Sequence, residues 1–493
     1  MTGKVDRSEG LAAILGDWAS GSGPLYRKLT EALRGLVAEG ALVPGERLPS
    51  ERELAGALAV SRSTVVAAFD ELRGQGVVVS RQGSGTRVTT GPAPLADGRV
   101  PGGQGAAIFQ RLIDGPGELI SLACAAGGGA PEVAGALEDV LRHDLPALLS
   151  DPGYQPRGLP ALRAAIAAHY TALGLPTRLD EVLVTTGAHQ ALVLVADLYR
   201  RNLATVLVEA PSWPACLDVF QAAGAKLSAV PLDDEGIDAH ALAAALREQP
   251  PALLYVMPTY HNPTGILMSA ARRRRVAELA ARHDVPVVED NAYSGLSLST
   301  DAAIPAPLAA YCPHDAEVLT ISSLGKVVWA GLRTGWVRAP GAIIERLARR
   351  KALADLGSPV LDQALAARLL PRLGELAARR SDELRGRLDL LERLLAEQLP
   401  RWRWRRPDGG SALWVQLPYA ADAGAYAQLA LRYGVELVPG SAMDPSGRHN
   451  DHLRVPFTLP PETLAQLVSR LAGAWSDLER HGPCDTRPLR PIV

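Results

Sequence analysis

One lysine stands out among the residues of this sequence that could do covalent chemistry. Only five of the 493 residues are lysines, and Lys326 lies in the segment SSLGKVVWAGLR. Arginine keeps its proton at working pH, whereas a lysine that is desolvated or near other cations can lose its proton and form an imine with an aldehyde. Lys326 is therefore the candidate catalytic residue.

Two segments supply groups suited to binding a phosphate. In VLVTTGAHQALVLVADL a strand, a glycine turn and a helix follow one another, so the backbone N–H groups of Ala188 and His189 would lie at a helix N-terminus, where anions bind. Ser323 and Arg333, on either side of Lys326, could add a hydroxyl and a guanidinium. Together these residues predict a phosphate site beside the lysine.

Four further residues could hold a flat heteroaromatic ring. Trp213, in EAPSWP, is suited to stacking, and Asp290, at the end of the strand in VPVVEDNAYSGL, could keep a pyridine nitrogen protonated, which makes the ring an electron sink. Asn262, in HNPTG, and Tyr293 could hydrogen-bond a ring hydroxyl. Each residue alone has an ordinary structural explanation, such as a core tryptophan or a capping aspartate. The occurrence of all four residues in this order predicts a ring-binding site more specifically than any one of them does alone.

Short apolar runs alternate with amphipathic helical segments through the middle of the chain. Six runs are strand-like, namely VLVTTG, TVLVEAP, KLSAVPL, LLYVMP, VPVVED and VLTISS. Strands that are apolar on both faces indicate a mostly parallel sheet covered by helices, and hence the α/β class. Further on, RWRWRRP, SALWVQL, VELVPG and HLRVPF predict a smaller mixed domain. The run Arg272 to Arg275 is interpreted as a solvated helix face.

The N-terminal segment has a different pattern. Residues 24–74 show helical periodicity broken by VPGERLP, and QGVVVSRQGSGTRVT predicts a hairpin, or wing. Ser50 would cap one helix and Ser61 the next, with the short connection of a helix-turn-helix, whose second helix would face the major groove of DNA. A packing module with capping serines would show the same local pattern. The residues expected to contact DNA are Arg52, Ser61, Arg62, Ser63, Thr64, Arg81 and Gly83.

Composition limits the partners. The formal net charge is −2, so any DNA contact must be local rather than the result of a global basic field. The four cysteines have neither metal-ligand nor disulfide spacing, which predicts reduced thiols and no metal site. We find no apolar signal core and no run of about 18 uncharged apolar residues. We therefore expect a soluble, cytoplasmic protein without a membrane partner.

Changes in composition divide the chain. We expect a winged-helix head at residues 1–89 and a flexible linker at 90–117, where GPAPLADGRVPGGQG lacks any apolar period. The body would span residues 118–480, with its small subdomain mainly from about residue 341. The tail at 481–493 is expected to be loosely ordered.

Two family resemblances join these observations. The run from PLYRKLTEALRG to VVVSRQGSGTRV resembles the winged helix of GntR-type bacterial regulators. From about residue 119 to 475 the chain resembles fold type I enzymes of the class I and II aminotransferase group, which implies pyridoxal 5′-phosphate (PLP) bound as an imine of Lys326. The resemblance also implies a homodimer in which Tyr154, in GYQPRGLPALR, reaches the partner's phosphate. Arg454, in HLRVPF, would bind the carboxylate of a substrate or effector.

Some positions depart from the pattern of these relatives. His189 stands where glutamine is frequent, Trp213 where tyrosine is frequent, and Ala330 where proline is frequent. The segment SLACAAGGGAPE lacks the usual Gly-x-Pro-Asp signature of the substrate loop. The identity of the amino ligand therefore stays open.

A GntR-like head on an aminotransferase-like body is the architecture of MocR-type regulators, which both halves resemble. The resemblance implies a PLP-dependent regulator that binds double-stranded operator DNA and senses PLP itself or an amino-compound effector. One alternative is an active PLP-dependent aminotransferase acting on an amino acid, since the residues needed for transamination are all present. Another is a dimerisation scaffold without cofactor.

Overall fold

The computed structural model describes residues 24–38, 45–74, 77–81, 85–88, 119–200, 204–248, 250–299, 303–313 and 316–481, with the single residues 11, 14, 15, 18, 19, 42 and 117. The expected hairpin tip at Gly83, nearly all of the expected linker and the tail beyond residue 481 lie outside these residues. The chain forms two units, Met1–Pro101, which holds the head, and Gly102–Val493, which holds the body.

From residue 24 onward, the described residues of the head form three helices and a hairpin, and two serines fix where the second and third of these helices begin. Ser50 forms a capping box with Glu53, in which Ser50 Oγ accepts from Glu53 N at 3.3 Å and Glu53 Oε2 accepts from Ser50 N at 2.8 Å. Ser61 Oγ accepts from Thr64 N at 3.2 Å. Both expected caps are confirmed. The elements are α1 Leu25–Ala38, α2 Glu51–Ala57, α3 Arg62–Gly74, β1 Val78–Arg81 and β2 Gly85–Val88.

The head has its own hydrophobic core. Leu29 of α1, Leu54 of α2 and Phe69 of α3 are fully buried in one cluster, and Val78 and Val88, which face each other across the antiparallel hairpin, belong to the same cluster. The hairpin therefore packs on the helices as a wing.

The body is built on an eight-stranded sheet. After a short strand, β3 Ile120–Ser121, its strands are β4 Val182–Thr185, β5 Thr205–Ala210, β6 Lys226–Asp233, β7 Gly236–Ile237, β8 Leu253–Val256, β9 Val287–Asp290, β10 Val318–Ser323 and β11 Gly335–Arg338. Their spatial order is β4-β11-β10-β9-β8-β5-β6-β7. The pairs among β5, β6, β8, β9 and β10 are parallel, whereas β11 runs antiparallel to both neighbours and β7 runs antiparallel to β6.

All six strands expected from apolar runs form, and the α/β class is confirmed. Every residue of β4, β5, β8 and β9 is buried, as a sheet covered on both faces requires. Strand β11 was not expected, because GWVR contains too few apolar residues to form a run.

Helices surround this sheet. They are α4 Glu132–Asp139, α5 Leu145–Leu149, α6 Pro160–Ala172, α7 Gly187–Tyr199, α8 Pro214–Ala222, α9 Ala239–Glu248, α10 Ala270–Arg282, α11 Gly341–Asp355 and α12 Val360–Leu369. The expectation of a fully solvated arginine run in α10 is wrong for Arg273. This residue is buried. Its burial is tolerated because its guanidinium donates to three backbone carbonyls and to the hydroxyl of Thr259.

A 26-residue helix, α13 Leu373–Gln398, leads into a smaller sheet. The remaining elements are β12 Arg403–Trp404, β13 Ala412–Gln416, α14 Ala423–Arg432, β14 Val435–Glu436, β15 Val438–Pro439, β16 His452–Pro456 and α15 Pro461–His481. The antiparallel order is β12-β13-β16-β15, and β14 pairs in parallel with β3. Each of the four expected runs contributes a strand. In the part of the chain that the structure describes, we find no helix long and apolar enough to cross a membrane.

Candidate functional site

The carboxyl-terminal edge of the large sheet brings several of the expected residues together. Asp290 ends β9 and pairs in register with Ile321 of β10, whose last residue is Ser323. Ser323 pairs with Gly335 of β11, and Gly335 pairs with Thr185 at the end of β4. The ends of β4, β9 and β10 therefore meet at one edge of the sheet, where a ligand of an open α/β sheet binds.

The expected phosphate-binding groups lie where α7 begins. Gly187 has a φ of 78°, and a Cβ at this position would lie 2.9 Å from the guanidinium of Arg333, so only glycine fits without displacing that side chain. Arg333 also donates to the carbonyl of Thr186 at 3.3 Å. The backbone of Ala188 and His189, in the first turn of α7, is therefore next to an exposed guanidinium, an arrangement suited to a phosphate.

Three of the expected ring-holding side chains lie in two separate sets of contacts. The ring of His189 meets that of Trp213 edge to face, with centroids 6.0 Å apart. Asn262 Nδ2 donates to the hydroxyl of Tyr293 at 3.4 Å, and Lys326 Nζ lies 5.2 Å from the centre of the Tyr293 ring. In the part of the chain that the structure describes, Lys326 Nζ donates to one backbone carbonyl, that of Ala125, at 3.0 Å. The amine is thus beside the aromatic group rather than buried in the core.

Asp290 is a buried carboxylate with few compensating partners. Burial raises its pKa, while hydrogen bonds from Ala292 N at 2.9 Å and from the hydroxyl of Tyr255 at 2.8 Å, and the positive charge of Lys326, lower it. A protonated pyridine nitrogen would give this carboxylate a cationic partner. Tyr255 was missed from the sequence, although it is the one hydroxyl-bearing residue in the apolar run LLYVMP.

Arg454, on β16, is 1 % exposed. Its guanidinium donates to the carbonyls of Leu122 and Ala123 at 2.8 and 2.7 Å, and its Nε has no hydrogen-bond partner among the described residues. Burial lowers the pKa of Arg454, and the nearby hydroxyl of Tyr293 acts the other way. A buried guanidinium that keeps one N–H group without a partner is suited to a carboxylate.

Tyr154 is not buried with the other site residues. It is 68 % exposed, and its role at a partner's phosphate remains a prediction. The same holds for the roles of the other cofactor-binding residues, whose positions fit the expectation.

The expected DNA-contacting residues lie mainly at the start of α3. Ser61 Oγ lies 2.8 Å from both Ser63 Oγ and Thr64 Oγ1. The side chain of Arg62 is 70 % exposed and forms a surface ion pair of 3.3 Å with Glu51. A surface ion pair of this kind is weak, so DNA phosphates could replace it.

Three further residues were expected to contact DNA. Arg52 is exposed on α2, and Arg81 is the last residue of β1. Gly83 lies outside the described residues. Their contacts with DNA stay predictions.

These side chains fit PLP. The cofactor presents four parts, namely its aldehyde, its ring nitrogen, its ring face and its phosphate. The site offers a group for each in the same order: a lysine amine, a buried carboxylate at a strand end, an aromatic residue beside the first turn of a helix, and a guanidinium at that turn.

Comparisons with known proteins agree with this geometry. The family model for aminotransferases of class I and II matches residues 149–471, and the model for bacterial regulatory proteins of the GntR family matches residues 25–88. An uncharacterised HTH-type transcriptional regulator of Bacillus subtilis, YisV, is 31 % identical over 449 residues, which cover 87 % of this chain and 92 % of YisV. The Escherichia coli protein YjiR, also named as an uncharacterised HTH-type transcriptional regulator, is 28 % identical over 91 % of this chain and 98 % of its own.

Solved structures match the body. The α-aminoadipate aminotransferase LysN of Thermus thermophilus, complexed with N-(5′-phosphopyridoxyl)-L-leucine, aligns with a TM-score of 0.67 at 31 % identity, covering 78 % of this chain and 96 % of LysN. Fold and site therefore define a fold type I, PLP-binding protein with a GntR-type DNA-binding head. More specifically, the chain belongs to the MocR-type transcriptional regulators of the GntR superfamily.

Proposed function

We propose that this chain is a transcriptional regulator that binds operator DNA through its head, holds PLP at Lys326, and senses PLP or an amino-compound effector. One observation carries the proposal: a GntR-type head and a full set of cofactor-holding side chains, gathered at one sheet edge, occur in a single chain. When bound, the cofactor supplies an aldehyde that reacts with primary amines.

The residues of the body have separate roles in this proposal. Lys326 supplies the amine that holds the cofactor, and Asp290 supplies the carboxylate that faces its ring nitrogen. Arg454, whose Nε has no hydrogen-bond partner among the described residues, selects an effector that carries a carboxylate. An effector can change DNA binding only if it binds the DNA-competent and incompetent states with different free energies.

An exposed apolar surface supports a homodimer. We define the pairing surface by five residues with high exposure, namely Leu149 at 75 %, Tyr154 at 68 %, Leu353 at 91 %, Leu356 at 56 % and Leu361 at 46 %. Two parts of this surface are neighbours, because a Cβ at Gly357 would lie 2.9 Å from the backbone of Gln155. Exposed apolar side chains that lie close together are typical of protein–protein interfaces. A dimer would present two heads and therefore bind two half-sites.

Selection of genomic DNA tests the regulator proposal. The purified chain would be mixed with genomic fragments with and without PLP, and retained fragments would be sequenced. We expect a reproducible fragment whose retention changes with PLP in the wild type but not in Lys326→Ala. Retention of no specific fragment under either condition would contradict the proposal.

A second candidate function is transamination, because Arg454 is arranged as a carboxylate site and the body is similar to enzymes. The 2-aminoadipate transaminase of Thermus thermophilus is 32 % identical over 66 % of this chain and 82 % of its own. Multiple turnovers with an amino donor and a keto acceptor, lost in Lys326→Ala, would favour catalysis. A single half-reaction without turnover would favour sensing.

A further inference from the structure

The helix α3 of the head has two clearly different faces. Residues three and four positions apart share a face of a helix, so the burial of each side chain shows which way it is turned. The inward face is fully buried in the hydrophobic core of the head and consists of Val65, Ala68, Phe69 and Leu72. The outward face is partly or fully exposed and consists of Arg62, Ser63, Val66, Ala67 and Asp70.

Val66 is an apolar side chain on the outward face, and the fold of the head does not account for it. Among the described residues, Val66 belongs neither to the core of the head nor to the partly buried apolar side chains that pack against that core. Valine is also not a residue that favours a helix, because its β-branched side chain loses rotamer freedom there. Neither packing within the head nor helix formation therefore explains a valine at this position.

The surroundings of Val66 on this face are mainly polar. Ser63 precedes it by three positions and Arg62 by four, and both side chains are exposed. Asp70 follows it by four positions, and the carboxylate of Asp70 pairs with the guanidinium of Arg73 in the same helix. The negative charge of Asp70 is thus balanced within the helix. Val66, with the shorter Ala67 beside it, forms the apolar part of a face that is otherwise suited to DNA.

The chemistry of valine limits what Val66 can recognise in DNA. Its side chain has no hydrogen-bonding group, so it cannot read the donors and acceptors of base edges. The apolar group that a base pair exposes in the major groove is the C5 methyl group of thymine. We propose that Val66 reads a thymine by packing against this methyl group, close to the base edge that Arg62 reads. The inference rests on the proposed operator binding by the head and adds the chemistry of one base to it.

Deoxyuridine is the probe that tests this contact, because it pairs as thymidine does and lacks only the C5 methyl group. The fragment that the full chain retains in the genomic selection would be remade with one thymine at a time replaced by deoxyuridine. Affinities would be measured by fluorescence anisotropy under the PLP condition that gives the stronger retention. We expect a position at which loss of the methyl group weakens binding by the wild type about fourfold, the effect of removing one methyl group from an apolar contact.

A variant of Val66 shows whether this side chain makes the contact. Val66→Ala should leave α3 folded, since alanine favours a helix more than valine does. The variant should bind the thymine fragment about fourfold more weakly than the wild type does, and replacement of the sensitive thymine by deoxyuridine should then cause no further loss. Its affinity for random DNA should stay unchanged, because no charge is removed. Leu25→Ala shortens an exposed side chain on α1 and is the control, which should keep the fourfold effect of the methyl group.

The outcomes separate this inference from the proposed function. A selected fragment that the wild type binds equally well after every single replacement would overturn the role of Val66 and leave operator binding intact. A methyl effect of the same size in Val66→Ala as in the wild type would do the same. Retention of no specific fragment would overturn both the inference and the proposed function.

Discussion

Two lysines of the body show how environment decides what an amine can do. Lys351 is fully buried, but its amine is bound by the carboxylate of Asp355 at 2.6 Å and by Gln190 Oε1 at 3.1 Å, so its role is to hold α11 against α7. Among the described residues, Lys326 donates only to the carbonyl of Ala125, and it faces an aromatic ring. An amine with a neutral hydrogen-bond partner is freer to react than one held in an ion pair.

The first prediction concerns this difference. Reduction of the PLP-loaded protein with borohydride should fix the cofactor on Lys326, and Lys326→Ala should abolish the fixed label because the variant lacks the amine that would form the imine. Peptide mass spectrometry would locate the label. Lys226→Ala, which removes an exposed amine on β6, is the control and should be labelled as the wild type is. A label on Lys351 in the wild type would contradict the assignment.

A buried carboxyl next to the site gives a dependence of stability on pH. Glu209, in β5, accepts from Met257 N at 2.7 Å and lies 3.5 Å from His261 Nε2. Burial raises the pKa of Glu209 from 4.5 to about 8 and lowers that of His261 to about 3. Both side chains are therefore uncharged in the folded protein at neutral pH.

The second prediction follows from the sign of the Glu209 shift. Because the folded pKa lies above the unfolded one, the contribution of Glu209 to stability is full below about pH 4.5 and is lost as pH rises towards 8, by at most about 1.4 kcal/mol per pH unit. Glu209→Gln cannot ionise and can still accept from Met257 N. Its thermal unfolding temperature should therefore rise relative to the wild type between pH 5 and pH 8. A constant difference across this range would contradict the shift.

At the scale of elements, the head depends on where α3 begins. The cap at Ser61 fixes this start, and Arg62 is then the first helical residue, with its guanidinium largely exposed. A side chain in this position can reach a base edge when the helix lies in the major groove.

The third prediction concerns that residue. Arg62→Ala should cost about 1 to 3 kcal/mol of specific DNA binding, because a guanidinium contact to a base edge is lost. The surface ion pair with Glu51 contributes little, so the head should stay folded. Arg34→Ala removes a similar surface ion pair from α1 and serves as the control in a gel-shift titration. Equal loss of affinity for the selected fragment and for random DNA would show that Arg62 binds phosphate only.

Elements with a strong local signal could be predicted, and those held by distant partners could not. All six apolar runs form strands. Asp290 and Ser323 are the last residues of two of these strands, which places them at the candidate site. Strand β11 is defined by its two neighbours rather than by its own four residues. Likewise, the carbonyls that orient Arg454 lie more than 330 positions earlier in the chain and belong to the backbone, which carries no signature in the sequence.

At the scale of the whole molecule, regulation requires that the body influence DNA binding. Head and body each have a separate hydrophobic core, so each can fold around its own apolar residues. Pairing of two bodies would fix how many heads one complex offers to DNA. The pairing surface would therefore link ligand binding in the body to DNA binding by the heads.

The last prediction tests this pairing. Leu353, at 91 % exposure, has almost no contact within its own chain, so Leu353→Glu should leave the fold intact while placing a charge in an apolar interface. We expect sedimentation velocity to show a dimer for the wild type and mainly monomer for the variant, with weaker binding to a fragment that carries two half-sites. Tyr419→Glu changes a residue with 75 % exposure in the smaller sheet region and should remain dimeric.

Because a monomer keeps one intact head, Leu353→Glu should still bind a single half-site as the wild type does. A variant that stays dimeric would place the interface elsewhere on the body, and a wild type that sediments as a monomer would remove Tyr154 from the cofactor site altogether.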